Sequence, residues 1–262
     1  MIKFSVCIEM IFNDQPIYER FFRVKDAGLE AAEIWDWGNR DISELKEATE
    51  KSGIILSSMC VGTADALLAR KYRETPLVAN CASEIFCEIA SCSVETAKQL
   101  NVKNLIVTTG QERADISREK QHENIVKALS AAAPIFESGG ITAVLEPLNV
   151  LVDHKGYYLS SSAQAADIIK EVKSENIKML FDIYHQQITE GNIINNINQY
   201  KDLIGHFHIA DNPGRHEPGT GELNYSAIFK AIEKTGYEGF VGLEFAPLAS
   251  CSDALKSVID LK

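Results

Sequence analysis

The sequence IKMLFDIYHQQITEGNIINNINQYKDLIGHFH, residues 177–208, contains two short apolar runs joined by a longer segment of helical character. The runs IKMLFD (177–182) and IGHFH (204–208) are rich in the β-branched and aromatic residues that are typical of strands. Strands that are joined through a helix run parallel, because a parallel pair needs a long crossover connection. The stretch therefore predicts one strand–helix–strand unit.

The same alternation of short strand-like runs and longer helical stretches extends along the whole chain. The strand candidates are KFSVCI (3–8), AAEIW (31–35), IILSSMC (54–60), NLIVTT (104–109), TAVLE (142–146), IKMLFD (177–182), IGHFH (204–208) and FVGLE (240–244). Eight such units in 262 residues are typical of an α/β (β/α)8 TIM barrel. A doubly wound sheet is disfavoured, because its first strand usually precedes a glycine fingerprint, whereas EMIFNDQP follows the first strand here.

Helix start and stop signals mark the predicted crossovers. Pro16 opens one helix and Asp41 caps another. The glycines predicted to follow helices are Gly28, Gly53, Gly139 and Gly236. Residues 61–100 fit the pattern least well, and we expect a long excursion there with its own short helix. No linker interrupts the alternation, so residues 1–262 are predicted to form a single TIM barrel domain.

Composition limits the partners that the chain can have. The net charge of −11 repels a phosphate backbone, so we expect a small-molecule substrate and no nucleic acid. No run of about 18 apolar residues is present, so no membrane span is expected. Six cysteines without a CxxC pair, and no apolar leader, predict a cytoplasmic protein with reduced thiols. A homo-oligomer is compatible with the sequence, which leaves the oligomeric state open.

Four consecutive strand candidates end on a side chain that can bind a metal ion. These residues are Glu146, Asp182, His208 and Glu244. Their separations of 36, 26 and 36 residues (182−146, 208−182 and 244−208) are each close to one strand–helix unit. Because the carboxyl ends of barrel strands meet at one mouth, we expect the four side chains to surround that mouth.

Strand alternation sharpens this prediction, since side chains two residues apart share a face. If that face points into the barrel, the four residues form its top layer and His206 lies one layer deeper. A single acid at a strand end is often solvated or caps a helix, but four in succession favour a shared metal ion. Three carboxylates and one imidazole favour Mg²⁺ or Mn²⁺ over zinc.

Two residues near this predicted centre are candidates for substrate binding. His185 lies three residues beyond Asp182 and can hydrogen-bond a substrate oxygen, although a histidine in a loop or helix cap is an equally good interpretation. Arg215 lies in the loop after His208, where its guanidinium can hold a substrate carboxylate by two parallel bonds. His216 and Glu217 are weaker candidates. The glycines of this loop are expected to shape it over the mouth.

The chain resembles, nearly from end to end, the hydroxypyruvate isomerase family of the xylose isomerase-like TIM barrels, and the specific part of the resemblance is the second half. The resemblance rests on LEPLN, FDIYHQQITEGN, HFHIADNPGRHEPGTGELNY and GLEF, of which IADNPGRHEPGTGE is the most specific. It implies that Glu146, Asp182, His208 and Glu244 hold a divalent cation and that the two glutamates act as acid and base. It also implies that His185 and Arg215 contact the substrate.

The resemblance implies isomerisation of hydroxypyruvate to tartronate semialdehyde by proton transfer through an enediolate, in which Glu146 and Glu244 remove and return the proton. Hydroxypyruvate isomerases often carry Gln where this chain has His208, whereas the related ketose 3-epimerases carry His. A ketose or keto-acid sugar 3-epimerase with the same metal site is therefore the alternative. An endonuclease IV-like barrel would need more than the six histidines present, and the pair of glutamates argues against a non-catalytic sugar-binding barrel.

Overall fold

Parallel pairing closes eight strands into a barrel, with each strand beside the next and β8 beside β1. The computed structural model describes residues 2–262. The strands are β1 (Lys3–Cys7), β2 (Ala31–Ile34), β3 (Ile55–Cys60), β4 (Asn104–Val107), β5 (Thr142–Leu145), β6 (Ile177–Asp182), β7 (Ile204–Ile209) and β8 (Phe240–Leu243). All eight coincide with the strands predicted from the sequence, and the TIM barrel is confirmed.

Helices connect successive strands around the outside of the barrel. They are α1 (Ile17–Asp26), α2 (Ile42–Ser52), α3 (Ala66–Glu74), α4 (Ala82–Gln99), α5 (Arg118–Gly139), α6 (Ser162–Val172), α7 (Ile183–Thr189), α8 (Ile193–Tyr200), α9 (Tyr225–Lys234) and α10 (Cys251–Ile259). The short helix α3 lies within residues 61–100, in the excursion that the chain makes before α4. Within residues 2–262, no helix combines the length and apolarity needed to cross a membrane.

Local sequence signals fix several helix ends. The Asp41 carboxylate accepts hydrogen bonds from the backbone N–H groups of Ser43 and Glu44, which is the cap expected at the start of α2. Gly53 ends the same helix in the left-handed conformation, which costs a glycine little. Gly139 was predicted to follow a helix, but α5 includes it, and the left-handed cap is Gly140.

The carboxyl ends of the strands differ slightly from the predicted ends. Glu146 and Glu244 lie one residue beyond β5 and β8, whereas β7 continues one residue past His208. The two glutamates still have ladder-like backbone bonds, since Glu146 N–H donates to Val107 O and Glu244 N–H to Ile209 O. The backbone of both glutamates is therefore held as it is within a strand.

Side chains fill both faces of the barrel wall. Ile106, Val144 and Leu180 form a small apolar cluster inside the barrel, below the predicted site. Phe181 and Phe207 alternate with the inward residues and pack edge to face under the helices, with ring centroids 6.2 Å apart. Strands buried on both faces explain why the strand sequences are nearly continuous apolar runs.

The outward aromatic layer generates a prediction about stability. Phe207 is fully buried against Phe181 and Tyr237, so Phe207→Ala is expected to lower the free energy of unfolding by about 3–5 kcal/mol. Phe22→Ala, at a partly exposed position on α1, is the matched control and should cost much less. Urea unfolding measures both, and equal losses would contradict this account of the core.

Candidate metal centre and active site

The structure brings the four predicted metal ligands together at the mouth of the barrel. One ligand atom from each of Glu146, Asp182, His208 and Glu244 lies within 4.8 Å of the others. All four side chains are buried, and these four residues together are called the cluster below. His208 Nδ1 lies 3.2 Å from a Glu244 oxygen and 3.7 Å from a Glu146 oxygen. The convergence that strand alternation predicted is therefore present.

Asp182 serves two neighbours with its two carboxylate oxygens. Oδ1 accepts the backbone N–H of His185 at 3.2 Å and thereby caps α7, as acids at strand ends often do. Oδ2 lies among the cluster, 3.6 Å from both His185 Nε2 and an Arg215 nitrogen. Asp182 is therefore both a helix cap and a candidate ligand.

The pKa values of two acids of the cluster, Asp182 and Glu244, are shifted in opposite directions. Burial alone would raise the pKa of Glu244, but the adjacent His208 and Arg215 outweigh burial and hold this pKa well below its usual range. Burial dominates at Asp182, whose pKa is raised although Arg215 opposes the shift. Burial would lower the pKa of His208, yet the surrounding carboxylates of Glu244 and Glu33 raise it.

The donor set fits a divalent cation. Three carboxylates and one imidazole offer the oxygen-rich ligation that Mg²⁺ and Mn²⁺ prefer. His208 Nδ1 is buried, faces the carboxylates and has no hydrogen-bond partner within residues 2–262. A buried ring nitrogen without a partner is costly unless something else bonds it. The cluster can therefore hold a metal ion.

Hydrogen bonds from Asn149 determine the tautomer of His185. The Asn149 oxygen accepts the backbone N–H groups of Val152 and Asp153, which orients its amide. The Asn149 nitrogen then lies 2.7 Å from His185 Nδ1, which must act as the acceptor. Burial lowers the pKa of His185 to about 4, so the ring is neutral near pH 7.

His185 consequently presents an N–H group to the cluster. Its Nε2 carries the proton, is buried and has no hydrogen-bond partner in the described chain. The nearest acid is Asp182, 3.6 Å away, which is beyond hydrogen-bonding distance. A buried donor aimed at the candidate metal centre suits an oxygen atom of a small molecule. The prediction that His185 binds substrate is compatible with this geometry and stays a prediction.

Arg215 lies against the cluster rather than out on the rim. One of its terminal nitrogens donates to Glu244 and lies 3.6 Å from Asp182. The guanidinium also lies over the Tyr184 ring, 5.3 Å from its centroid. Its Nε is buried and has no hydrogen-bond partner among residues 2–262. Arg215 thus combines a fixed position with unused donor capacity.

Asp211 organises the loop that carries Arg215, which is defined here as the Arg215 loop (residues 211–223). Its buried carboxylate accepts the backbone N–H groups of Asn212, Gly219 and Leu223 at 2.9, 2.8 and 3.1 Å. One side chain therefore closes a loop of more than ten residues.

Further bonds tie the Arg215 loop to the segment after β8. The Arg215 carbonyl accepts from Ala246 N–H, and the His216 ring bonds Ala246 O at 2.8 Å. Glu217 accepts the backbone N–H of Leu248. His216 and Glu217, the weaker sequence candidates, therefore support the loop and do not contact the cluster.

Two contacts of the cluster were not anticipated from the sequence. Trp35, just after β2, donates its indole N–H to Glu244 Oε1 at 2.7 Å. Glu33 of β2 lies one layer below and accepts from both His206 and His208. A charged residue within an otherwise apolar strand was the available signal for Glu33, because barrel strands are buried on both faces. Trp35 carried no such signal.

Comparisons with known proteins agree with this geometry. The family described as "Xylose isomerase-like TIM barrel" matches residues 21–259. The hydroxypyruvate isomerase of Escherichia coli (strain K12) is 32% identical over 98% of each chain. The 2-oxo-tetronate isomerase of Cupriavidus necator is 30% identical, over 97% of this chain and 96% of its own. A solved structure titled "AP endonuclease, family 2 from Brucella melitensis" superposes with a TM-score of 0.91, 25% identity and 99% coverage of each chain.

The chain therefore belongs to the xylose isomerase-like TIM barrel family. Within that family it groups with the hydroxypyruvate isomerases, and it is an isomerase. The resemblance and the reaction class inferred from the sequence are both confirmed.

The contacts of Asp211 generate a prediction about the Arg215 loop. Asp211→Ala leaves three backbone N–H groups without their acceptor, so the amides of Gly219 and Leu223 should exchange with solvent at least about tenfold faster. Glu238→Ala, which removes an exposed acid outside the loop, is the control. Hydrogen exchange followed by NMR measures both variants. Wild-type protection of these amides in Asp211→Ala would contradict the role given to Asp211.

Proposed function

We propose that the chain is a divalent-cation-dependent isomerase that moves a proton between adjacent carbons of a small hydroxy-keto acid. The first candidate reaction converts hydroxypyruvate to tartronate semialdehyde. One observation carries the proposal: Glu146 and Glu244 both face His208 Nδ1 within one buried cluster. Two carboxylates beside one ligand set suit removal of a proton at one carbon and its return at the next.

Relatives support the choice of substrate class. The E. coli relative is named for hydroxypyruvate and the C. necator relative for 2-oxo-tetronate, and both names describe hydroxy-keto acids. Such substrates have a carbonyl and a hydroxyl on neighbouring carbons together with a carboxylate. The cluster offers a distinct partner for each of these groups.

Glu146, Asp182, His208 and Glu244 are the residues that would hold Mg²⁺ or Mn²⁺. The cation would stabilise the negative charge that develops on substrate oxygens when the neighbouring carbon loses its proton. Its four ligands come from four adjacent strands, which leave little room for the cluster to rearrange.

The protein's own groups perform the proton transfer. Glu244 stays ionised because its pKa lies well below the usual range, and Trp35 and Arg215 hold its two oxygens. Glu146 is the second candidate acid or base, and one of its oxygens lies 3.7 Å from His208 Nδ1. Either glutamate can act as the base, and the other or the same one returns the proton through an enediolate-like substrate.

His185 and Arg215 orient the substrate in this proposal. His185 donates from Nε2 to a substrate oxygen, since Asn149 occupies its other nitrogen. Arg215 holds the substrate carboxylate with donors that its contacts to Glu244 leave free. Burial of the mouth restricts water access to the carbon that has lost its proton.

Deuterium labelling tests the reaction. We expect Mn²⁺-loaded protein in deuterated water to convert hydroxypyruvate and to place deuterium on the reprotonated carbon, as measured by NMR. Glu146→Gln and Glu244→Gln should each lower kcat by about 10²-fold or more, because each removes a general acid or base. Metal content is measured in the same samples, since both residues are predicted ligands.

Glu217→Gln is the control, because Glu217 is a buried carboxylate of the Arg215 loop and Gln keeps an oxygen that can accept the Leu248 N–H. A panel of four-carbon keto acids and free ketoses is assayed in parallel. Turnover of ketoses alone would favour the alternative 3-epimerase. Turnover without deuterium in any product would contradict proton exchange with solvent and would favour a hydride shift or a fully shielded base.

Arg215→Lys tests carboxylate recognition separately. Lysine keeps the charge but loses the planar fork, so KM should rise about tenfold or more for an acidic substrate and far less for a neutral ketose. Arg70→Lys is the control, because Arg70 pairs with Glu74 on an exposed part of α3. An equal rise in KM for both substrates would mean that Arg215 binds no substrate carboxylate.

A further inference from the structure

Glu33 is a buried acid that the proposed reaction does not use. It lies in the middle of β2, is 1% exposed and sits beneath the candidate metal centre. Its Oε1 lies 2.9 Å from His206 Nε2, and its Oε2 lies 2.8 Å from His208 Nε2. A buried carboxylate is costly unless donors surround it, so these contacts account for its presence in the barrel.

Hydroxyl groups complete the surroundings of Glu33. Ser5 of β1 donates to Oε1, and Ser57 of β3 lies 3.3 Å from the same oxygen. The carboxylate is thus bonded from three strands other than its own. Its position, and therefore the position of the His208 ring, is fixed by the wall of the barrel.

The neighbouring strand β8 leaves room for this contact. Gly242 of β8 pairs with His208 in the sheet register. A Cβ atom at residue 242 would lie 2.5 Å from His208 Cδ2 and 2.7 Å from both Glu33 carboxylate oxygens. Only glycine leaves room for the imidazole and the carboxylate to meet there.

We propose that Glu33 is a positioning residue that sets the affinity of the metal centre through His208. Because Glu33 accepts the Nε2 proton of His208, Nδ1 is the ring nitrogen that faces Glu146, Asp182 and Glu244 and that would bind the cation. Carboxylates that bond the second nitrogen of a metal-binding histidine fix its tautomer and increase its basicity. The inference rests on the metal site of the proposed function.

A second metal site is the alternative use of the same residues. Glu33, His206 and His208 also bring ligand atoms within 4.8 Å of one another. However, the Glu33 to histidine distances of 2.8 and 2.9 Å are those of direct hydrogen bonds. Both histidines are buried, 1% exposed or less. Hydrogen bonding therefore accounts for the group without a second ion.

Isothermal titration with Mn²⁺ tests the inference. Glu33→Gln keeps the size of the side chain but removes its charge, so one imidazole loses its partner and His208 Nε2–H keeps at most a neutral amide acceptor, which is weaker than a carboxylate. We expect one Mn²⁺ per chain and a Kd that is about 10–100-fold higher than that of the wild type. His206→Gln retains a donor for Glu33 and should bind close to the wild-type value.

A double-mutant cycle shows whether Glu33 acts through His208. In a His208→Gln background, Glu33→Gln should leave the Mn²⁺ Kd nearly unchanged, because the ring that it positions is gone. An equal loss in both backgrounds would mean that Glu33 acts by another route and would overturn the inference. Glu217→Gln controls for the loss of any buried carboxylate at this end of the barrel.

Three further results are decisive. A folded Glu33→Gln variant with wild-type Mn²⁺ affinity would overturn the inference but not the metal site of the proposed function. Two Mn²⁺ per wild-type chain, with one lost in Glu33→Gln, would establish the second metal site instead. No Mn²⁺ binding by the wild type would overturn the metal site of the proposed function together with the inference. If Glu33→Gln does not fold, Glu33→Asp keeps the charge and, being one methylene shorter, should also weaken Mn²⁺ binding.

Discussion

Mutual repulsion of carboxylates at the mouth of the barrel is the constraint on which the rest of the site depends. Glu146, Asp182 and Glu244 converge within a few ångströms in a region that water barely reaches. Unopposed, such charges would destabilise the fold or lose their ionisation. Glu244 and Asp182 are instead paired with donors or a cationic group, and the split between a lowered pKa at Glu244 and a raised one at Asp182 reflects how those partners are distributed.

The side chains inside the barrel lie in layers, and most of the charged side chains occupy the upper ones. The top layer contains the candidate ligands, with Trp35 and Arg215 beside Glu244. The layer below contains Glu33 and His206, and the apolar side chains of Val144 and Leu180 lie beside them. Most of the charge is thus in the top layer, at the end where a substrate can enter.

Strand periodicity made the fold and the four candidate ligands predictable. Residues at the ends of successive strands recur at the spacing of one strand–helix unit. Alternation along each strand then puts Glu146 and Asp182 on the same, inward face of the barrel. Partners that meet across the barrel, such as Trp35 with Glu244 or Asn149 with His185, depend on strand register and on loop conformation. A single sequence does not encode these pairings as a local pattern, which is why they appeared only in the structure.

The bonds between the Arg215 loop and the segment after β8 have a consequence for how this site can diverge. Arg215 O with Ala246 N–H, and Glu217 with Leu248 N–H, join two stretches that are separated by a whole helix and strand. The two stretches are therefore structurally coupled. A substitution near Leu248 would change the position of Arg215 although the two residues are far apart in sequence. Substrate range in such a barrel would be redesigned by exchanging both stretches together, because either one alone would arrive without the backbone partners that hold it in place.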